Sequence, residues 1–567
     1  MNQLIETMFA NRGYDINYIN SINDYQHKKL YNVVELANKL KRIHDTGAHI
    51  VVLPDFDTDG IMSGVVGFAG LAELGFRVSL FIPNPSEGYG FTDRTIERLV
   101  SEYPDVKAII TCDVGISCYD GIDKAKAMDI EVLVTDHHNE LMDFSERMNA
   151  DIVVDPMQKK DTYEHPSICG AYVLYQCLLH YAETYGNKFE YSQIRRLRVF
   201  AGIGTISDLM PMLYENRGVV KDALSLSRLI YSDANPWFIN SITGCDTYRR
   251  AFFGLYTVFD VFAQMGKIKT IDNIDESFFG YYFAPMFNSI KRLGGDMRDA
   301  FDVFFGGSQV ASVTKLYDMN ENRKQLVFEC LQNTLAADQP YAPFVYISSA
   351  QHGILGLLAA KLQNMDNMPK IVVIRHSDGS YGGSGRSPFW YPFFTRMQAQ
   401  GFDVAGHENA FGINFADINE LQRFFEFITV DAVQVRAKAE SEGMFAEVVP
   451  DFVIATDGTG DTNIDIPLFA EYLQEIKFFA PFGPMFDNAR IKLRFKAGDG
   501  TWSVIGSAKQ HLKIVLNTGF YILCWNEAQF LSRGDKKDDI IEVMGHLDMN
   551  VYRNTITIGF IADTFAV

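Results

Sequence analysis

Five short runs rich in β-branched residues punctuate the first 160 positions: HIVVLPD, RVSLFIPN, VKAIITCD, IEVLVTD and DIVVD. The stretches between them carry helical periodicity. Strands that alternate with helices in this way specify a parallel α/β sheet. Four of the five runs end in an aspartate: Asp55, Asp113, Asp136 and Asp155. Ligand sites in open α/β sheets lie just outside the carboxyl ends of the strands, so these acids are predicted to converge on one crevice.

The first run continues as DFDTDG, placing Asp55, Asp57 and Asp59 on alternate positions before Gly60. Unpaired carboxylates so close repel one another, so a positive group is expected between them. The fourth run leads into His137 and His138. Aspartates plus imidazole make an oxygen and nitrogen ligand set suited to Mn²⁺ or Mg²⁺ and unsuited to soft thiolate metals. A calcium loop also begins D-x-D-x-D-G, but its twelfth position requires Glu and here holds Val66. Strand-end aspartates also serve as helix caps and turn formers. For Asp155 that role and a functional one both stay open.

Composition excludes several classes. With 567 residues, 47% hydrophobic and 22% charged, the chain can bury several cores and is not disordered. Its longest apolar run, Ile61 to Phe76, is too short to span a membrane and contains Glu73. The N-terminus lacks a basic start followed by an apolar block, so no secretory signal and a cytoplasmic setting are expected. Seven scattered cysteines with no C-x-x-C pair read as reduced thiols. A net charge of −20 argues against gripping nucleic acid over the whole surface, so any such grip is local.

Taken in order, the motifs resemble the DHH phosphoesterase family, and within it the RecJ-type single-strand exonucleases. DFDTDG looks like the first motif, CDVGIS the second, TDHH the one naming the family, and GIGTISDLMP the fourth, with Asp208. The likeness continues through NENRKQ, QHGILGLLAAKL, GGSGRS, AGHENAFG, FFAPFGP and KQHLKIVL, nearly the whole chain. It implies one metal ion on Asp55, Asp57 and Asp113 and a second on Asp59, Asp113, His137 and Asp208. Asp113 would bridge, His138 would face the scissile phosphate, and Asp113, His137 and His138 would form the catalytic group. Many relatives place a His before the D-x-D, a role that falls here to Asp55. Asp155 stands where relatives often carry Asn, and FIPNPSEGYG has Pro85 in the neighbourhood of a family Arg.

The expected architecture is α/β. A parallel-sheet DHH domain covers 1–235, an insertion and helical connector 236–340, a second α/β, DHH-associated domain 341–430, and an OB-like β-barrel 431–567. The second domain shows strands PFVYISS and PKIVVIRH around a helix beginning near Gly353, and the last shows DFVIATDG, ARIKLRFKAG, WSVIGSA, HLKIVLN and FYILCWN. By the resemblance, Ser384 and Arg386 of GGSGRS read a 5′ phosphate; from the residues alone, a glycine-rich turn with a surface Arg is the rival. His352 and His407 match positions lining the cleft, and Asn288 and Arg292 match contacts to the DNA backbone. SPFWYPFFTR supplies either bases with stacking partners or a domain with core, and core is favoured. Arg195, Arg196 and Arg198 read as a solvated helix face, and Lys509, His511 and Lys513 as local positive charge on the barrel. The aromatic-rich segment from about 231 to 285 matches no family motif and reads as an insertion.

Two bridged ions can activate water for in-line attack on a phosphodiester, with no serine or cysteine nucleophile. The expected function is metal-dependent hydrolysis of single-stranded DNA from the 5′ end to mononucleotides, in recombination or repair. The chain is expected to work as a monomer, with single-strand-binding protein or a helicase as candidate partners. The alternatives are a DHH phosphodiesterase for short oligonucleotides or cyclic dinucleotides, and a non-catalytic single-strand-binding replication scaffold.

Overall fold

The computed structural model describes residues 1–23, 29–84, 87–88, 90–139, 148–232, 242–444, 449–506, 509–525, 527–552 and 555–566. Pro85 and positions 233–241 of the aromatic-rich segment therefore lie outside the described residues. The chain divides into two units, one built from 29–208 and 223–446, the other from 1–28, 209–222 and 447–567.

In the larger unit, β1 (His49–Pro54), β2 (Val78–Leu80), β3 (Val106–Cys112), β4 (Glu131–Thr135) and β5 (Ile152–Val154) form a wholly parallel sheet in the order β2-β1-β3-β4-β5. β1 is buried along its length, as a parallel strand covered on both faces must be. The helix Thr58–Glu73 after β1 is also buried almost throughout. Its glycines let it sink onto its neighbours: a Cβ at Gly67 would lie 3.0 Å from Leu174 Cδ2, and one at Gly70 2.6 Å from Leu178 Cδ1. This helix contains most of the apolar run noted above, and no helix among the described residues is long and apolar enough to cross a membrane.

The helical connector follows. Its helices Asp246–Gln264, Ala284–Leu293, Arg298–Phe305 and Gln309–Ala336 help bury Phe252, Phe259, Phe262, Phe278, Phe279 and Phe283, so these phenylalanines of the unassigned segment are core, whereas Tyr281 is exposed.

The second sheet of this unit runs β6 (Val345–Ile347), β7 (Lys370–Arg375), β8 (Tyr381–Arg386), β10 (Ala410–Phe415) and β9 (Asp403–Gly406), in that spatial order. GGSGRS is therefore not a turn: its residues 382–386 belong to the central strand β8. Glycine is required there because a Cβ at Gly385 would overlap the Phe411 ring. Trp390, Tyr391 and Phe393 of SPFWYPFFTR are buried, and Arg396 is paired with Asp431, which also accepts the Tyr391 hydroxyl at 2.7 Å. The core reading holds for these three aromatics, whereas Phe389 is exposed. The expected boundary at 430/431 falls inside the helix Ile418–Ser441, whose buried Leu421, Phe424, Ile428, Ala432 and Ala439 keep helical spacing across it.

The other unit holds the β-rich domain, which begins at Phe452 rather than 431. β11 (Phe452–Ala455), β12 (Ile491–Lys496), β13 (Gly500–Ile505), β14 (His511–Leu516), β15 (Tyr521–Cys524), β16 (Ile540–Tyr552) and β17 (Thr555–Ala566) form one sheet in the order β11-β12-β16-β17-β15-β14-β13. The N-terminal helix Gln3–Arg12 belongs here and not to the first domain, with Leu4, Ile5, Met8 and Phe9 in one core with Phe469, Tyr472 and Phe520. Arg12 pairs with Asp451 at 2.7 Å. Arg217, 1% exposed, donates to the carbonyls of Phe479, Ala480 and Pro481 and lies 4.5 Å over the Phe486 ring.

Candidate metal centre

Each acid of the crevice is delivered by the end of a different element. Asp55 follows β1. Asp57 is the N-cap of Thr58–Glu73 and accepts the Gly60 N–H at 3.0 Å. Capping and site-building are thus not exclusive: one oxygen satisfies the helix end, and the helix dipole favours the charge. Asp59, in the first turn of the same helix, accepts N–H groups from Gly170 at 2.7 Å and Ala171 at 3.2 Å, the first residues of the helix Gly170–Tyr185. Asp113 follows β3 with φ 66°, a left-handed conformation that costs a non-glycine residue about 1 kcal/mol and is held here by its N–H bond to Thr135 O at 3.0 Å. Asp208 closes the helix Arg198–Ser207, and His137 and His138 follow β4.

Glycines make room for these carboxylates. A Cβ at Gly60 would stand 2.6 Å from the Asp55 backbone, one at Gly170 2.5 Å from Asp113 Cβ, and one at Gly204 would overlap Asp59 Oδ1. Gly170 and Gly204 are functional positions that sequence reasoning missed. The only local signal was small residues opening the GAY helix and inside GIGT.

The ligand atoms of Asp55, Asp57 and Asp113 lie within 4.8 Å of one another, as do those of Asp59, His137 and Asp208. His137 Nε2 is 3.0 Å from Asp113 Oδ1, 3.6 Å from Asp208 Oδ2 and 3.9 Å from Asp59 Oδ2. Asp113 Oδ1 is buried and accepts no hydrogen bond. Burial, and then the charge of Asp57, pushes Asp55 and Asp59 each up to about 7. Burial and neighbouring carboxylates take Asp208 to about 8 and hold Asp113 well above the usual range. Burial holds His137 down to about 4, leaving its imidazole neutral with a lone pair to give. Acids this crowded and an uncharged imidazole fit two divalent cations of the Mg²⁺ or Mn²⁺ kind, which would reverse the carboxylate shifts.

His138 differs. Burial opposes its charge, but the 2.8 Å contact of Nδ1 with Asp136 and the surrounding acids carry it up to about 9. Asp136 also accepts N–H groups from Ile116 at 2.9 Å and His137 at 2.8 Å, which together with His138 lower its pKa despite burial. Asp155 is fully buried, pushed up to about 8 by burial and then Asp136, and bonded to the Met157 N–H at 2.7 Å; it is in neither ligand group.

The helix Ala284–Leu293 is strapped to the acid loop. Thr58 Oγ1 donates to Ala284 O and the Thr58 N–H to Asn288 Oδ1, both at 3.1 Å. Asn288 thus reaches the acid loop itself. Beyond it, Arg292 lies within electrostatic reach of Arg323 and Arg386; burial and those two charges lower its pKa to about 10. Among the described residues none of these three arginines makes an ion pair, and Arg323 is mostly buried, bonding Asn320 Oδ1 at 3.0 Å. A cluster of uncompensated guanidiniums is an anion site in waiting. A Cβ at Gly353 would overlap Arg292 O and one at Gly356 would come 2.9 Å from Arg386 Nη2, so the glycines of QHGILG shape this pocket. Ser384 Oγ donates to Phe411 O at 3.3 Å. His352 and His407 are exposed and join neither ligand group. Arg323, a member of this pocket that the residue-level reading missed, lies in NENRKQ. In the other unit, Lys513 and His511 sit on β14, where the His511 ring meets the half-exposed Trp525 at 4.8 Å.

Comparison with known proteins bears on the domains and the fold. The profile described as DHH family, N-terminal domain, matches residues 49–201, and the RecJ OB domain matches 465–563. The single-stranded-DNA-specific exonuclease RecJ of Haemophilus influenzae is 24% identical over 520 residues, covering 86% of this chain and 82% of its own length. Crystal structures of RecJ from Thermus thermophilus superpose over 100% of this chain. The Mn²⁺ complex matches with TM-score 0.68 at 20% identity over 76% of its own length, and the Mg²⁺ complex with TM-score 0.64 at 19% identity over 74%. At such identities the structures establish the fold. Two domain profiles in the right order, relatives aligned over most of the chain and a fold shared end to end make this chain a RecJ-type member of the DHH family.

Proposed function

We propose that the chain is a metal-dependent exonuclease that hydrolyses single-stranded DNA from its 5′ end to mononucleotides. The observation that carries this reading is the buried acidic centre, together with three arginines, Arg292, Arg323 and Arg386, that make no ion pair among the described residues. One divalent cation would be held by Asp55, Asp57 and Asp113, the other by Asp59, Asp113, His137 and Asp208, as Mn²⁺ or Mg²⁺. Bound there, such ions neutralise phosphate oxygens and make water a nucleophile at neutral pH.

The chain's own residues do the rest. Asp59 is fixed by the Gly170 and Ala171 N–H groups, so its oxygens cannot swing. Asp136 keeps the His138 imidazole charged, which leaves Nε2–H as a donor toward a phosphate oxygen. Arg292, Arg323 and Arg386 receive the 5′-terminal phosphate, joined by the Ser384 hydroxyl once it turns away from Phe411 O; a dianion matches several guanidiniums better than an internal diester does. His352 and His407 line the strand's approach, and Asn288 holds the acid loop while its amide faces the backbone. In this reading the protein works in the cytoplasm as a monomer, in recombination or repair, with single-strand-binding protein or a helicase exposing its substrate.

Purified protein incubated with 5′- and 3′-labelled single strands and duplexes tests the proposal. Metal-dependent release of 5′ mononucleotides from single strands is expected. Binding without cleavage in Mn²⁺ would sink it in favour of a scaffold, and cleavage confined to dinucleotides or cyclic dinucleotides in favour of a small-substrate phosphodiesterase.

A further inference from the structure

The two halves of the acidic centre are not electrostatically alike. Ala284, Asn288 and Lys291 stand at i, i+4 and i+7 on one helix, hence on one face, and that face is laid against DFDTDG. The first two hold Thr58 through hydrogen bonds of 3.1 Å. The third sets its ammonium 4.0 Å over the ring of Phe56, the residue between Asp55 and Asp57. Phe56 is 5% exposed and cannot move aside, so the cation is held at that end of the acid loop while its residue remains open to water.

We propose that Lys291 is a built-in counter-cation of the Asp55/Asp57 half of the centre, which weakens divalent-cation binding there and makes the Asp59/His137/Asp208 half fill first. The inference rests on the metal-centre reading above. Lys291 acts on Asp55 and Asp57, whereas no lysine is among the charges that shift Asp208 or Asp59. His138, the other cation facing the centre, acts on both Asp55 and Asp208 and so does not separate the halves. A fixed positive charge beside a ligand pair repels an incoming dication more than it repels a monocation, while a site lacking it pays no such repulsion. Since water reaches Lys291, the effect is moderated to about one power of ten in affinity or somewhat less.

The test is Mn²⁺ titration of the full-length metal-free chain, following free Mn²⁺ by electron paramagnetic resonance, with no turnover involved. The wild type should bind one ion tightly and one at least about fivefold more weakly. Lys291→Met, which keeps an apolar stem against Phe56, should strengthen the weak step about fivefold or more and move the tight one less than twofold. Lys291→Arg, which keeps the charge, should retain the wild-type gap. In an Asp57→Asn background, where the weak step is removed, Lys291→Met should change nothing. Unchanged steps in Lys291→Met, or both steps shifting equally, would overturn this inference while leaving the two-ion centre intact. A wild-type chain that binds no Mn²⁺ would overturn the metal reading itself.

Discussion

Replacing Asp113 with Asn takes one carboxylate from the middle of the acidic group while keeping a side chain that tolerates the backbone at φ 66°. Ala would add backbone strain and confuse the result. In chelator, the folded chain holds the Asp113 proton far above the usual carboxylate range, through burial and then Asp59, Asp57, Asp55 and Asp136. The native state then carries a proton that the unfolded state has released, so stability falls as pH rises between the two values. Over every pH unit in which Asp113 keeps its proton in the fold and has lost it in the unfolded chain, the metal-free wild type loses about 1.4 kcal/mol. Asp55 and Asp59 near 7, Asp208 near 8 and His138 near 9 push the same way in the window from about pH 6.5 to 8.5. His137, held down to about 4, exerts its opposite effect between there and its ordinary value near 6.5, below the window.

Hydrogen exchange of β1, β3 and β4 amides reads this locally, since a chain with two units need not unfold in one step. In chelator, the stability of Asp113→Asn relative to wild type should rise as pH goes from about 6.5 to 8.5, by at most about 1.4 kcal/mol per unit. With Mn²⁺ at about 100 times its Kd the order should reverse, the wild type gaining about 2.7 kcal/mol and the variant little. A difference independent of pH in chelator, or a wild type that grows more stable toward pH 8.5, would refute the reasoning.

Gly204→Ala places a methyl on Asp59 Oδ1 and should lower Mn²⁺ affinity and turnover about 10- to 100-fold with far-ultraviolet circular dichroism unchanged. Arg386→Ala should mainly erase discrimination between 5′-phosphorylated and 5′-hydroxyl strands in a competition assay, and unchanged discrimination would leave the arginine cluster without its proposed ligand. Arg217→Met leaves buried carbonyls of residues 479–481 without a donor; limited proteolysis should show the smaller unit destabilised by about 3 kcal/mol with Mn²⁺ binding retained.

What was legible in the sequence was local. Each strand-end aspartate announces its own position, because an apolar β-branched run stops where the sheet ends and the crevice begins, and that places Asp55, Asp113 and Asp136 without a structure. The supports were not legible, because they are distant in sequence: Gly170 matters only once its helix has been brought to Asp59 and Asp113, and Gly204 only because its helix crosses beneath Asp59. GGSGRS misleads for a related reason. Its glycines look like turn formers, yet the strand's neighbours occupy the space a side chain would need: His376 at Gly382, Val372 and Val373 at Gly383, Phe411 at Gly385. The first 28 residues joined the wrong domain for want of any local mark that Leu4, Ile5, Met8 and Phe9 pack with Phe469 and Tyr472. The boundary at 430/431 was drawn from the β-rich runs that begin with DFVIATDG, and it cuts the helix Ile418–Ser441, whose apolar spacing continues past it.

The most direct test of the two-ion centre is a crystal of this chain soaked in Mn²⁺ and measured at the manganese absorption edge. Two anomalous peaks are expected about 3.5 to 4 Å apart, one against Asp55, Asp57 and Asp113 and the other against Asp59, Asp113, His137 and Asp208. No peak there, or peaks only at other carboxylates, would contradict it.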